Sequence, residues 1–140
     1  MSSFLKHAEY ATMPTEMAIG DLIPENRKHF NVTIEALSNG VDLTEFYPAL
    51  PDEKVLLKYG LDPKKKRIVY IGRVDPEKSI LRTILAFKEV LEVKPELEFV
   101  IVGDGIDLER LKKKVLDFGI EKSVKFLGKI LLPDLVEIYR

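Results

Sequence analysis

The stretch "VYIGRVDPEKS" (69–79) decides the fold, because an apolar strand in it runs directly into a charged turn and then a helix. The strand "RIVYIG" (67–72) is rich in β-branched residues, and "PEKSILRTILAFKEVLEV" (76–93) has apolar residues at helical spacing. Two further apolar runs, "LEFVIVG" (97–103) and "VKFLG" (124–128), flank the helical pattern "DLERLKKKVLDFG" (107–119). Strands alternating with helices predict an α/β fold with an open, doubly wound parallel sheet of the Rossmann-like kind.

The predicted elements of this sheet follow from the same periodicities. We expect strands at about 67–72, 98–102 and 124–127, with helices at about 77–92, 107–118 and from 132 onward. The last helical pattern, "LPDLVEIYR" (132–140), ends with the sequence, so the sheet is expected to be incomplete. An incomplete sheet leaves apolar surface exposed, which predicts self-association.

The first part of the chain is less regular and predicts a different unit. Helices are expected at 2–10, at 15–23 with Thr15 as the cap, and at 53–60, with strands at 11–14 and 32–38. The turn "NGVD" (39–42) and two prolines in "LTEFYPALPDE" (43–53) predict a boundary near residue 42. The division is therefore 1–42, a linker over 43–52, and 53–140.

Composition excludes several classes of function. A net charge of −1 gives no general attraction to nucleic acid, and no apolar run is long enough to span a bilayer. The chain has no cysteine, which excludes disulfides and thiolate metal sites and fits a cytoplasmic location. Glutamine is absent while lysine and glutamate are abundant, a bias that hints at a thermophilic source.

Two cations follow the first strand of the sheet. Arg73 lies at the carboxyl end of that strand, where ligands bind to open parallel sheets. Asp75 is a candidate N-cap and Pro76 suits a first helical position, which would place Lys78 in the first turn. A guanidinium fork and a mobile ammonium beside a helix N-terminus suit a diphosphate. The alternative is that both are ordinary surface cations.

A glycine-rich turn follows the second strand. Gly103 and Gly105 in "VIVGDGIDLERL" (100–111) would let the backbone approach a ligand closely. The alternative is a tight turn in which Asp104 or Asp107 caps the helix. As a dinucleotide fingerprint the motif fails, because Leu108 takes the place of the third glycine, and this disfavours a NAD-type oxidoreductase.

The motifs together resemble a known family. "SNGVDLTEFYP", "IVYIGRVDPEKSI", "FVIVGDG" and "VKFLGKILLPDLVEIY" occur in the order and spacing of the nucleotide-sugar glycosyltransferases of the GT-B fold, glycosyltransferase family 4. The resemblance runs from about residue 10 to the end, and Gly128, Leu135 and Tyr139 keep the expected offsets. It implies that 53–140 is the first part of the C-terminal nucleotide-sugar-binding domain and that 1–42 is the remnant of the acceptor-side domain.

The resemblance also implies roles for individual residues. Arg73 and Lys78 match the catalytic cations that bind the donor diphosphate and stabilise it as it leaves. The donor cleft would include Gly72 and the loop Gly103–Asp104–Gly105. Lys129 and Ile130 match residues that meet the nucleotide base largely through their backbone. One departure is Ser79, where the family usually has glycine, so that a side chain would lie close to the expected phosphate path.

The function implied is sugar transfer with retention from a nucleotide-diphosphate sugar to an acceptor that is a lipid, a saccharide or a small molecule. Fixed cations can stabilise the departing diphosphate without a metal, and no Asp-x-Asp motif is present, so neither a metal nor a cofactor is expected. His7 and His29 are not expected to be the acceptor-side histidine. The alternative is a non-catalytic module that binds a nucleotide or nucleotide sugar. In the full-length enzyme the location would be cytoplasmic or peripheral at the membrane.

Overall fold

The structure is a computed structural model that describes residues 7–22 and 32–140. The chain divides into two compact units between Phe46 and Tyr47, which lies inside the segment 43–52 that the sequence predicts as a linker. Within the described residues, no helix combines the length and the apolar character that crossing a membrane requires.

The first unit contains a parallel pair of short strands. β1 (Tyr10–Met13) pairs with β2 (Thr33–Ala36), and α1 (Glu16–Leu22) lies between them in the chain. The Thr15 hydroxyl accepts a hydrogen bond from the N–H of Ala18 at 3.1 Å, which confirms the predicted helix cap.

The helix predicted over 2–10 is wrong over its described part, since residues 7–9 are not helical. Tyr10, expected at the end of a helix over 2–10, instead begins β1, because its backbone takes part in the parallel ladder with Thr33. Residues 2–6 of that predicted helix lie outside the described residues, and so does His29.

The second unit holds the remaining elements in strand–helix alternation. They are α2 (Glu53–Lys58), β3 (Arg67–Ile71), α3 (Ile80–Val93), β4 (Glu98–Val102), α4 (Leu108–Asp117), β5 (Val124–Gly128) and α5 (Asp134–Tyr139). The strands β3, β4 and β5 form one parallel sheet with β4 in the centre. The predicted parallel sheet is therefore confirmed, and all of its carboxyl ends lie at one edge.

Both faces of this sheet are covered, which explains the apolar run Phe99–Val102 in the central strand. Every residue of β4 is buried. Phe99 and Ile101 pack with α3 and α4 residues such as Ile84, whereas Val100 and Val102 pack on the other face with Leu56 of α2 and Ile138 of α5. Because successive side chains of a strand point to opposite faces, a strand buried on both sides favours apolar residues at consecutive positions. Glu98, at the start of the strand, is the exception, and its Oε1 lies 3.5 Å from Lys65 Nζ. A parallel sheet covered on both faces is the doubly wound arrangement.

The helix after β3 begins later than expected. Pro76–Lys78 form a 3-10 turn, and α3 starts at Ile80 after Ser79, whose φ of 52° is left-handed. The left-handed residue breaks the helical ladder, so Lys78 does not lie in the first turn of α3. Asp75 precedes the turn but its carboxylate makes no capping hydrogen bond, because it is bound to Arg73.

Candidate functional site

A cavity of about 330 Å³ opens at the carboxyl ends of the three parallel strands. Each strand contributes its last residues or the loop that follows, and α5 contributes one side chain. The lining residues are Ile71, Gly72, Arg73, Val102, Gly103, Asp104, Lys129, Ile130 and Leu135. An open parallel sheet binds its ligands at this edge, so the cavity is the candidate site.

Six of the eight site residues predicted from the sequence line this cavity. They are Gly72, Arg73, Gly103, Asp104, Lys129 and Ile130. Lys78 and Gly105 are not among the lining residues. Sequence reasoning did not select Ile71, Val102 and Leu135, although the strand ends at residues 71 and 102 were a signal for the first two.

Arg73 is held at the cavity by a neighbouring carboxylate. Its Nε donates to Asp75 Oδ2 at 2.7 Å, and its Nη2 donates to the same oxygen. The Arg73 side chain is 72% exposed, whereas that of Asp75 is only 12% exposed. This hydrogen bond, aided by the charge of Asp75, raises the pKa of the guanidinium above its ordinary value. Among the described residues, Nη1 has no hydrogen-bond partner and stays available to a ligand.

The backbone of Arg73 is fixed separately. The hydroxyl of Tyr70 donates to the Arg73 carbonyl at 2.7 Å. Burial is the main cause that raises the pKa of the Tyr70 phenol, so this group stays protonated and acts as the donor at neutral pH. Strand β3 therefore supplies both the position of Arg73 and a bond that holds its main chain.

Lys78 and Arg73 both lie near the carboxylate of Glu77. Lys78 Nζ and Arg73 Nη2 each lie 3.9 Å from Glu77 Oε1. Arg73 lines the cavity beside Gly103, whereas Lys78, on the 3-10 turn, is not among the lining residues, which departs from the prediction that both cations face one crevice. The shared distance to Glu77 nevertheless shows that one anionic oxygen can lie near both cations.

The glycines after β4 serve the packing of two loops. A Cβ on Gly103 would overlap the carbonyl oxygen of Gly72, and one on Gly105 would overlap that of Val74. Val74 also donates to the Asp104 carbonyl at 2.9 Å and accepts from Asp107 N–H at 3.0 Å. Close approach by the chain itself therefore requires these glycines, whereas the sequence interpretation assigned that need to a ligand.

The acidic residues of this turn do not cap α4 with their side chains. Asp104 Oδ1 accepts from the N–H of Gly105 at 2.8 Å, which shapes the turn. Asp107 precedes α4 but makes no capping hydrogen bond, because both of its oxygens accept from Arg110. The bond from Arg110 lowers the pKa of the Asp107 carboxyl. Asp107 therefore occupies the N-cap position without a side-chain capping hydrogen bond, and the Asp104 carboxylate bonds to the Gly105 N–H.

The third strand end contributes one buried and one exposed side chain. Ile130 is 6% exposed and belongs to the core on the α2 and α5 side of the sheet, whereas Lys129 is exposed. Gly103 N–H donates to the Gly128 carbonyl at 2.8 Å, which joins the ends of β4 and β5 beside them. Arg73, Lys129 and Asp104 together give the lining two positive charges and one negative charge.

The described residues contain no cluster of side chains that could bind a metal ion. Over residues 7–22 and 32–140, no three histidine, aspartate or glutamate side chains come close enough to hold a metal ion. The charged groups that the cavity offers to a ligand are those of Arg73, Lys129 and Asp104.

Comparison with known sequences identifies the family. The family model described as "Glycosyl transferases group 1" matches residues 52–140, which is most of the chain. The chain belongs to the group 1 glycosyltransferases. The match begins at the first residues of α2 and includes every element that surrounds the cavity.

Individual relatives of this glycosyltransferase chain are considerably longer than it is. It is 28% identical over 133 residues to the alpha-monoglucosyldiacylglycerol synthase of Streptococcus pneumoniae, covering 91% of this chain and 29% of that protein. It is 31% identical over 106 residues to a GDP-mannose-dependent mannosyltransferase of Corynebacterium glutamicum that acts on a monoacylated phosphatidylinositol monomannoside, covering 74% of this chain and 27% of that protein. The chain thus spans less than a third of these relatives.

Solved structures show the same fold. Anabaena HepE, in a crystal structure with UDP and glucose, superimposes with a TM-score of 0.62 at 21% identity, covering 75% of this chain and 28% of that one. At this identity the likeness concerns the fold alone. The open parallel sheet of the group 1 glycosyltransferase chain is that of the GT-B glycosyltransferases, as the sequence resemblance predicts.

Proposed function

We propose that this chain forms the diphosphate-binding part of the donor site in a nucleotide-sugar-dependent glycosyltransferase. The observation that carries the proposal is Arg73, which lies in the cavity at the carboxyl edge of the sheet with Nη1 available to a ligand. Arginine recognises phosphate oxygens through two N–H groups at once, and this edge is where parallel sheets bind ligands. Relatives named for GDP-mannose and a neighbour solved with UDP support the same donor class.

The proposed reaction transfers a sugar from the nucleotide to an acceptor hydroxyl. The bond between the anomeric carbon and the diphosphate oxygen breaks, the acceptor oxygen bonds to that carbon and loses its proton, and a nucleoside diphosphate leaves. Negative charge grows on the leaving oxygen, where Arg73 and Lys78 would stabilise it. We propose transfer of a hexose with retention of configuration and without a metal, on the strength of these two cations and the family resemblance.

Each part of the donor is assigned to particular residues in this proposal. Arg73 would bind the diphosphate as a fork, and Lys78 would reach it from the 3-10 turn as a mobile point charge. Lys129 and Ile130, directly after β5, would contact the nucleoside, while Gly72, Gly103 and Asp104 would form the wall between them.

Calorimetric titration tests the proposal. UDP and GDP should bind the chain more tightly than uridine and guanosine, because the nucleosides lack the diphosphate. Arg73→Ala should weaken diphosphate binding roughly tenfold or more, with Lys78→Ala acting in the same direction, while nucleoside binding should change little. Equal affinity of wild type and both variants for UDP and GDP would refute the proposal.

The second candidate is a module that binds a nucleotide or nucleotide sugar without turnover. It predicts the same titrations, so a different measurement separates the two. The full-length protein, incubated with GDP-mannose or a UDP-sugar and a hydroxyl acceptor, should release nucleoside diphosphate in step with glycosylated product. Tight binding with no release of nucleoside diphosphate would favour the binding module.

A further inference from the structure

We propose that Asp75 is a positioning residue that holds Arg73 in the orientation required to bind a diphosphate. The inference rests on the proposed function, since it assigns to Asp75 a part in the same donor site. Asp75 is not on the cavity lining, so it would act through Arg73 and would not touch the ligand itself.

The carboxylate of Asp75 is held from two sides. Its Oδ2 accepts from Arg73 Nε and Nη2, while its Oδ1 accepts from the N–H of Ile106 at 3.3 Å. A Cβ on Gly105 would lie only 2.6 Å from Oδ1, so the loop after β4 packs directly against this oxygen. One largely buried carboxylate therefore connects Arg73 to the loop that forms another wall of the site.

Arg73 needs such a partner because packing does not hold its side chain. With 72% of its side chain exposed, a free arginine would sample many rotamers and would lose that freedom on binding a ligand. The bond to Asp75 restricts Nε and Nη2 before the ligand arrives and leaves Nη1 for phosphate. Preorganisation of this kind raises affinity by reducing the ordering that accompanies binding.

Asp75 also has an electrostatic effect that opposes diphosphate binding. Its negative charge opposes a bound diphosphate, so a residue that only neutralised Arg73 would weaken binding. Glu77 allows the effect of charge to be separated from the effect of positioning. It carries the same charge as Asp75, with Oε1 3.9 Å from Arg73 Nη2, but makes no hydrogen bond to Arg73. Its side chain is 63% exposed, which leaves it unable to anchor the arginine.

A double-mutant cycle on the 140-residue chain tests the inference, with UDP as the probe. Asp75→Asn keeps an oxygen for Ile106 and removes the charged acceptor from Arg73, so UDP should bind roughly three- to tenfold more weakly. In the Arg73→Ala background the same substitution should have no further effect. The matched control, Glu77→Gln, should bind UDP at least as tightly as wild type.

The outcomes distinguish this inference from the proposed function. If Arg73→Ala weakens UDP binding but Asp75→Asn binds as tightly as wild type or more tightly, the positioning role is refuted and the donor site stands. If Asp75→Asn is equally damaging with and without Arg73, Asp75 only supports the loop and the inference fails. If UDP binding does not depend on Arg73, the proposed function and the inference fail together. Asp75→Glu, which shifts the carboxylate and keeps its charge, serves in the same cycle if Asp75→Asn does not fold.

Discussion

Gly103 packs so closely on Gly72 that an added Cβ would overlap the carbonyl oxygen of Gly72 and lie 2.9 Å from its carbonyl carbon. The two glycines follow neighbouring parallel strands, and Gly72 N–H donates to the Val102 carbonyl at 3.0 Å. The ends of β3 and β4 thus come together through main chain alone. This contact sets the distance between Arg73 and the loop on the other side of the cavity.

We expect Gly103→Ala to destabilise the chain by at least about 2 kcal/mol, since it combines a main-chain clash with a φ of +137° that side chains disfavour. Gly119→Ala is the matched control, because Gly119 also has a positive φ but nothing lies within 4 Å of a Cβ added there. That control should cost about 1 kcal/mol from conformation alone. Urea unfolding measures both, and equal losses would show that the contact with Gly72 contributes nothing.

Ser79→Gly should stabilise the chain by about 0.5–1 kcal/mol. Ser79 has a left-handed φ of 52°, which a Cβ disfavours, and glycine removes this penalty at some cost in unfolded-state entropy. Ser79→Ala keeps the Cβ and should leave the free energy of unfolding nearly unchanged. Chemical denaturation distinguishes the two variants. A stabilisation by alanine as large as that by glycine would contradict the conformational explanation. The left-handed conformation also accounts for the glycine that the resemblance leads one to expect at this position.

Arginine and lysine should not be interchangeable at the two cationic positions. Arg73→Lys keeps the charge but replaces the planar fork by one compact nitrogen, which cannot contact Asp75 as Nε and Nη2 do while a separate nitrogen faces the phosphate, so UDP affinity should fall roughly three- to tenfold. Lys78→Arg should remain within about twofold of wild type, because Lys78 would act as a point charge. Titration calorimetry with UDP measures both. If Lys78→Arg weakened UDP binding more than Arg73→Lys, the proposal that Arg73 binds the phosphate as a fork would be contradicted.

Self-association is expected through the open edge of β3. Among the described strands, β3 pairs only with β4, so one side of its main chain is free to pair, and Ile68 on this strand is 43% exposed. Light scattering should show a mass that rises with protein concentration. Ile68→Lys should reduce the association, since charge on an edge strand opposes pairing, whereas Val93→Lys on the exposed end of α3 should not. A monomer at every concentration would refute this.

The sequence by itself determined the layers of the second unit. The run of four apolar residues Phe99–Val102 in β4 required cover on both faces, and the helical spacing around Ile84 and Leu111 supplied one of the covering layers. Parallel strands followed from the alternation, and with them the edge at which Arg73 lies. These features depend on local periodicity, which a single sequence carries.

Only the tertiary structure decided what the charged residues and glycines of that edge contact. Asp75 has the residue type and position of a helix cap, yet the buried site beside Ile106 makes it a partner of Arg73. Gly103 suits a ligand loop equally well by sequence, but the carbonyl of Gly72, directly after the preceding strand, leaves no room for a Cβ there. Such roles depend on which segments, distant in the chain, meet at the sheet edge, and that meeting is a product of packing and not of local sequence.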